Sequence, residues 1–255
     1  MAVLRGSREL AQEHGEVNVK PAAGSPTVLQ GKRIAVTGAF GALGVVVLRA
    51  LVAAGASAAG IARGPVSKAP AQLGGVALFG DADMSDASAA DATLRAVAQK
   101  LGGLDGLVNV AGAFRWGRVA DSAPALWEQM HRTNLLTAVN STRAALPLLG
   151  TNGRVISIGA AGSLKAGVGM APYAASKAGV AKLTEALAAE VKDRNITVNA
   201  ILPSIIDTPA NRADMPDADF SHWVRPEQVA DLIVFLLSDR ASAITGALIP
   251  IVGRV

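Results

Sequence analysis

The sequence contains a single tyrosine, Tyr173, which lies four residues before Lys177 in the string YAASK. On a helix, residues four apart share a face, so the phenol and the ammonium would be neighbours. A phenol has an ordinary pKa of about 10, and a fixed cation beside it lowers that pKa. An ordinary amphipathic helix also contains this spacing. If the flanking sequence supports a site, the pair predicts an acid that exchanges a proton with a carbonyl or an alcohol.

A glycine-rich segment, residues 37–44 with the sequence TGAFGALG, lies between the first predicted strand and the first predicted helix. Glycine lets the backbone turn sharply and approach a pyrophosphate, and the free N–H groups of a helix N-terminus attract anions. Alone, such a segment indicates only a tight turn. Its position between a strand and a helix predicts a dinucleotide site.

The elements that would position these groups alternate along the chain. Apolar runs predict strands at 33–37, 57–62, 76–80, 106–110, 154–158, 196–202 and 247–251. Longer patterns predict helices at 42–54, 86–101, 123–149 with a break at Pro147, 172–194 and 226–238. Strands joined through helices imply right-handed crossovers. The predicted fold class is therefore α/β, a single doubly wound (Rossmann-type) parallel sheet with helices on both faces, over residues 31–255.

Composition excludes several other functions. The chain has 255 residues and no cysteine, which excludes a disulfide framework, a thiolate metal site and a cysteine nucleophile. Its three histidines, His14, His131 and His222, lack metal-ligand spacing, so no metal is expected. The net charge of +4 is spread out and predicts no nucleic-acid partner.

The chain also shows no signal for a membrane. Its apolar stretches are interrupted before reaching the length of a membrane span. Residues 1–30 lack the apolar core of a signal peptide. We expect a mobile N-terminal arm on a cytoplasmic protein.

Taken together, these motifs resemble the short-chain dehydrogenase/reductase family over almost all of residues 31–253. The glycine-rich segment is followed about 135 residues later by the Tyr-Lys pair. Between and after them lie three segments similar to those of the family: an acidic turn at 83–86, the sequence NVAG at 109–112, in which Val replaces the family's second Asn, and the sequence PSIIDT at 203–208. The resemblance implies cofactor contacts from Thr37, Gly38, Phe40, Gly41, Leu43, Gly44, Asp83, Met84, Asn109, Ala111, Gly112, Tyr173, Lys177, Pro203, Ile206 and Thr208.

The resemblance also implies catalytic roles. Tyr173 would donate the proton, Lys177 would lower its pKa and hold the cofactor ribose, and Asn134 would order a water relay to Lys177. Family enzymes usually place a catalytic serine about thirteen residues before the tyrosine, where this chain has Ala160. Ser163 is out of register and would replace that serine only through a local change in length.

Dihydropteridine reductases, which belong to this family, resemble the chain in lacking the serine and in the form of the glycine loop. They also share a stretch similar to residues 207–223 on the substrate side. In those enzymes an aromatic residue after the fourth strand stacks on the substrate ring. Phe114 or Trp116 would take that part here; alternatively, both simply pack the loop.

The end of the second predicted strand bears on cofactor choice. NAD-dependent members place a carboxylate there to accept from the ribose 2′-hydroxyl, but this chain has Ala62 followed by Arg63. Arg63 would bind a 2′-phosphate, so NADP is favoured, with NAD as the alternative. Dihydropteridine reductases carry an aspartate at this position, so that resemblance does not hold throughout.

These features predict an oxidoreductase that transfers hydride to a small carbonyl, imine or quinonoid substrate. The alternatives are an ordinary alcohol dehydrogenase or ketoreductase that uses Ser163, and a non-catalytic protein that senses the cofactor. The predicted helix around residues 171–191 carries small residues at Ala174, Ala178 and Ala181. They would let a second copy approach closely, and the family resemblance likewise implies a homodimer or homotetramer.

Overall fold

The computed structural model describes residues 27–255. The predicted N-terminal arm therefore lies, up to residue 26, outside the described residues. Thr27 to Gln30 form a turn in which Leu29 is fully buried and its N–H donates to Ala54 O at 3.0 Å. Residues 27–30 thus pack with the domain, ahead of the predicted boundary at position 31.

Seven parallel strands form one sheet in the order β3-β2-β1-β4-β5-β6-β7. The strands are β1 Arg33–Thr37, β2 Ser57–Ile61, β3 Ala77–Phe79, β4 Leu104–Asn109, β5 Leu149–Ile158, β6 Thr197–Pro203 and β7 Leu248–Ile251. The order reverses between β1 and β4, and crevices at such a switch point are where doubly wound folds bind ligands.

Helices cover both faces of the sheet, which confirms the predicted fold class. They are α1 Ala42–Ala53, α2 Ala87–Leu101, α3 Pro124–Met130, α4 Thr137–Ala145, α5 Ala171–Glu190, α6 Pro209–Asp214 and α7 Pro226–Leu237. One core cluster packs α1 and α7 on one face, through residues such as Leu48 and Ile233. The other packs α2 and α5 on the opposite face, through residues such as Leu94 and Leu187.

The sequence prediction was wrong between residues 123 and 154. Instead of one helix broken at Pro147, α3 and α4 are joined by a π-helical turn, His131–Leu136, and α4 ends at Ala145. β5 begins at Leu149, five residues earlier than predicted, after which its pairing with β4 shifts register. The polar, glycine-containing start of β5, with Asn152 at φ 67°, conceals the strand from an apolar pattern.

The short helix α6 was not predicted. Thr208 caps it by accepting from Asn211 N, and Pro209 occupies its first position. In the part of the chain that the structure covers, no helix is both long and apolar enough to cross a membrane. Within the same residues, no group of three or more potential metal ligands is found.

Candidate active site

A cavity of about 840 Å³ opens at the carboxyl end of the sheet, beside the switch point. It is lined by the loops that follow the strands and by the first turns of α5. Most of the predicted cofactor and catalytic residues line it: Gly38, Phe40, Gly41, Leu43, Gly44, Arg63, Asp83, Met84, Ala111, Gly112, Phe114, Tyr173, Lys177, Pro203, Ile206 and Thr208. Residues from the ends of five strands and from the start of α5 therefore converge on one cavity.

The glycine-rich loop needs its glycines for space. Gly38 has φ +70°, and a Cβ there would lie 2.7 Å from Ala111 N. A Cβ at Gly44 would overlap Gly38 O. Gly41 precedes α1 without a side-chain cap, so the first N–H groups of this 12-residue helix are left for a ligand. The cradle therefore fits a dinucleotide pyrophosphate.

Positive charge lies at the end of the cavity beside β2. Ala62 is buried, and Arg63 and Lys68 both line the cavity there. Lys68 was missed by sequence reasoning because it lies in a short 3₁₀ turn, Val66–Lys68, outside any recognised motif. These two cations suit a phosphate on the cofactor ribose.

Asp83 is the single carboxylate among the described residues that line the cavity. Its Oδ1 accepts from Ser85 N at 3.0 Å and from Ser85 Oγ at 2.6 Å, and its Oδ2 accepts from Arg132 at 3.2 Å. The bonds from Ser85, together with Arg132, lower the pKa of Asp83. Arg132 also lines the cavity and was likewise missed by sequence reasoning, since nothing local marks it.

Tyr173 and Lys177 lie on the first turns of α5 and both line the cavity. Lys177 is buried, and its Nζ donates to Ile158 O at 2.7 Å. Burial lowers the pKa of Lys177 to about 8. Burial also raises the pKa of Tyr173 to about 12.

The prediction that Lys177 lowers the pKa of Tyr173 is therefore wrong for the protein chain by itself. The physical reason is burial, because removing the phenolate from water disfavours the charged form and raises the pKa of Tyr173. Tyr173 consequently stays protonated through neutral pH. That state is the one required of a proton donor.

Asn134 is buried in the π-helical turn and does not itself line the cavity. Its Oδ1 accepts from Ala113 N at 2.8 Å, and its Nδ2 donates to Ala113 O and to Ser176 Oγ, each at 3.0 Å. A Cβ on Gly112 would lie 2.9 Å from Asn134 Oδ1 and 3.2 Å from Lys177 Nζ. Asn134 thus lies beside Lys177, while its water relay stays a prediction.

Two predicted cofactor residues lie behind the cavity wall. Thr37 Oγ1 accepts from Ala111 N at 3.2 Å. Asn109 Nδ2 donates to Thr142 Oγ1 at 3.1 Å and to Ser157 Oγ at 3.3 Å. Both side chains are buried, so the structure assigns them to support of the loops rather than to the cavity surface.

The structure does not place a serine hydroxyl where the family usually has one. Ala160 is buried just after β5, and neither it nor Ser163 lines the cavity. Ser163 Oγ donates to Ala160 O at 2.6 Å, within a short 3₁₀ turn. The Ser163 hydroxyl is therefore engaged with the backbone.

The two aromatic candidates have different surroundings. Phe114 lines the cavity, and its ring meets that of Tyr173 edge to face, with centroids 5.0 Å apart. Trp116 does not line the cavity, and its Nε1 donates to Val168 O at 3.1 Å. Of the two, Phe114 is placed to touch a substrate.

Comparison with known proteins gives consistent results. Residues 38–253 match the family model described as enoyl-(acyl carrier protein) reductase. The chain is 34% identical over 167 residues to 3-oxoacyl-(acyl-carrier-protein) reductase FabG of Thermotoga maritima, covering 62% of this chain and 68% of that protein. It is 30% identical over 170 residues to 2-(S)-hydroxypropyl-CoM dehydrogenase 3 of Xanthobacter autotrophicus, covering 60% and 67% of the two chains.

Solved structures resemble the whole described domain. A short chain dehydrogenase from Burkholderia cenocepacia in complex with NADP superposes with a TM-score of 0.82 at 32% identity, covering 88% of this chain and 98% of that chain. A short-chain dehydrogenase/reductase from Serratia marcescens gives a TM-score of 0.80 at 29% identity, covering 89% and 98%.

Proposed function

The chain belongs to the short-chain dehydrogenase/reductase family of oxidoreductases, and we propose that it uses NADPH to reduce a small carbonyl, imine or quinonoid substrate. The observation that carries this proposal is the position of Tyr173, which lines the cavity together with Lys177 and packs edge to face on Phe114. When bound, the nicotinamide cofactor supplies the hydride. Tyr173 donates the proton to the substrate heteroatom.

The residues present fit such a cofactor. Gly38 and Gly44 leave room that a Cβ would fill, and the N-terminus of α1 would hold the pyrophosphate. Lys177, held by Ile158 O, would bind the nicotinamide ribose and place positive charge near the Tyr173 hydroxyl. The NADP complex of the Burkholderia relative supports the choice of NADP, with NAD as the alternative.

The missing serine limits the substrate. Without a hydroxyl from Ala160 or Ser163, polarisation of the substrate oxygen falls to Tyr173. Substrates that develop little alkoxide charge, such as quinonoid rings, need less of this stabilisation. A dihydropteridine-like substrate fits this requirement, although none of the relatives reported above is a dihydropteridine reductase.

A second candidate is reduction of a 3-oxoacyl thioester, which the name of the Thermotoga relative supports. The test is a turnover screen with NADPH and NADH against quinonoid dihydropterin, quinones, simple ketones and a 3-oxoacyl thioester. We expect NADPH oxidation with at least one of them and a preference for quinonoid acceptors. A preference for the thioester would support the second candidate, and turnover with none would support the non-catalytic alternative.

We expect the protein to bind NADPH more tightly than NADH, because Arg63 and Lys68 line the cavity beside Ala62. Replacing either cation by alanine should weaken NADPH about tenfold, the value of one hydrogen bond to a charged group, and leave NADH unchanged. Fluorescence titration of both cofactors measures this, with Lys100→Ala on α2 as the control. Tighter binding of NADH to the wild type would contradict the assignment.

Ala160→Ser is expected to raise reduction of simple ketones more than reduction of quinonoid substrates, because an added hydroxyl stabilises a developing alkoxide. Steady-state rates with both substrate classes provide the measurement. Ser163→Ala is the companion variant, since the Ser163 hydroxyl is bonded to Ala160 O. Loss of ketone reduction in Ser163→Ala would favour the alternative in which Ser163 is catalytic.

The predicted homodimer or homotetramer would use the exposed face of α5 and not the face that carries Ala174 and Ala181. Ala174 and Ala181 are buried within the protomer, whereas Ala175, Lys182 and Ala186 are exposed. We expect Ala186→Arg, which places a bulky charge on the exposed face, to dissociate the assembly. Light scattering measures this. A fully active wild-type monomer of 25.8 kDa would contradict the proposal.

A further inference from the structure

The segment from Ala113 to Gly117 lines the cavity through Ala113 and Phe114 and is anchored on both sides of Phe114. The first anchor is the side-chain amide of Asn134, which accepts from Ala113 N and donates to Ala113 O. The same amide donates to Ser176 Oγ on α5. The start of the segment is therefore connected to the helix that carries Tyr173.

The second anchor is the turn that immediately precedes α5. Trp116 Nε1 donates to Val168 O at 3.1 Å, and Gly117 N donates to Gly169 O at 2.8 Å. The indole ring lies directly on Gly169, since a Cβ there would overlap Trp116 Cε2 and Nε1. Gly169 also has φ +74°, a conformation that glycine adopts without strain.

Phe114 lies between these anchors and packs edge to face on Tyr173. It is 43% exposed, so it is not held in place by a surrounding core. Trp116 is 58% exposed, yet its ring edge and its N–H are both engaged by the turn. Trp116 is therefore held by its contacts with the turn before α5 and not by burial in the core.

We infer that Trp116 is a positioning residue: by docking on Gly169 it holds Phe114 against Tyr173 and so sets the shape of the substrate end of the cavity. Trp116 does not touch the substrate in this scheme, and it acts through Phe114. The inference rests on the proposed function for its kinetic consequence but not for its structural one.

The structural consequence is tested without any substrate. Because the chain has one tyrosine, selective labelling of tyrosine gives NMR signals from Tyr173 alone, and the Phe114 ring current displaces them. Phe114→Ala defines the shift expected when that ring is absent. Trp116→Ala and Gly169→Ala should move the Tyr173 signal in the same direction, and Trp116→Phe should move it less.

Two control variants separate docking of the indole from other effects. In Gly167→Ala the new Cβ would make only an ordinary 3.4 Å contact with Met170 Sδ, two residues from the docking position. Gly75→Ala introduces the same positive-φ strain, at φ +86°, with nothing within 4 Å of the new Cβ. Both should leave the Tyr173 signal in place.

The kinetic consequence is tested by a double-mutant cycle with a substrate that the turnover screen identifies. Trp116→Ala should lower kcat/KM on the order of tenfold, mainly by raising KM, because a displaced Phe114 would position the substrate less well. In the Phe114→Ala background, Trp116→Ala should have little further effect. The Kd of NADPH should stay unchanged in all of these variants.

A Tyr173 signal unmoved by Trp116→Ala and Gly169→Ala would overturn the inference. Fully additive effects of the two substitutions on kcat/KM would do the same, since they would mean that Trp116 acts independently of Phe114. Absence of turnover with every substrate would instead count against the proposed function alone. The NMR result would then decide the positioning role by itself.

Discussion

Tyr173→Phe is expected to lower turnover by about 10²–10⁴-fold, the usual contribution of a positioned general acid. The substitution removes the hydroxyl that donates the proton and keeps the ring that packs on Phe114. The affinity for NADPH and the unfolding temperature should both stay close to those of the wild type. Single-turnover kinetics and a fluorescence titration of the cofactor measure the two effects separately.

The structure also predicts how the turnover of the wild type depends on pH. Since burial raises the pKa of Tyr173 to about 12, the acid stays protonated through neutral pH, and no loss of turnover should come from its ionisation there. Near-wild-type turnover of Tyr173→Phe would remove Tyr173 from the mechanism. A pH profile that falls near neutrality in the wild type, but not in the variant, would show that the bound cofactor lowers this pKa.

Lys177→Met is expected to reduce turnover by at least about 10²-fold, because it removes the only buried ammonium beside the proton donor among the described residues. Methionine keeps much of the length of the side chain and leaves Ile158 O without its donor. We expect NADPH to bind more weakly as well, since Lys177 would hold the nicotinamide ribose. Steady-state kinetics and cofactor titration test both statements.

The same variant has a stability signature with a definite sign. Burial lowers the pKa of Lys177 from 10.5 to about 8, so between these values the unfolded chain binds more protons than the folded one. The free energy of unfolding of the wild type should therefore rise with pH relative to that of Lys177→Met. Between a pH below about 8 and a pH above 10.5, this relative rise in the free energy of unfolding amounts to about 3 kcal/mol, at about 1.4 kcal/mol per pKa unit.

Denaturant unfolding of the two proteins at several pH values measures that difference. The contribution of Tyr173 above pH 10 is present in both proteins and cancels in the comparison. A difference that is constant from neutral to alkaline pH would show that Lys177 is not desolvated in the folded protein. If the free energy of unfolding of the wild type instead fell with pH relative to that of the variant, the pKa of Lys177 would be raised in the folded protein.

Local patterns determined much of this protein. The strand–glycine turn–helix sequence around Gly38 predicted the cofactor cradle, because only a residue without Cβ fits against Ala111 N. The spacing of Tyr173 and Lys177 predicted that they share a helix face, because the helical repeat is a property of the backbone alone. The alternation of strands and helices predicted a doubly wound sheet, and the order of the strands agrees.

Other features depended on what each face packs against, and residue spacing carries no such information. Burial decided the direction of the Tyr173 pKa, and packing within the protomer turned Ala174 and Ala181 inward. The tertiary structure likewise decided that Lys68 lines the cavity and that Asn109, which donates to Thr142, lies behind its wall.

The same limit explains the two aromatic residues after β4. In the sequence, Phe114 and Trp116 are equivalent candidates for contact with a substrate. In the structure, Trp116 is drawn to Gly169, more than fifty residues further along the chain, while Phe114 remains on Tyr173. Sequence spacing determines which residues share an element. Only the packing of separate elements against each other decides which of them meet the substrate.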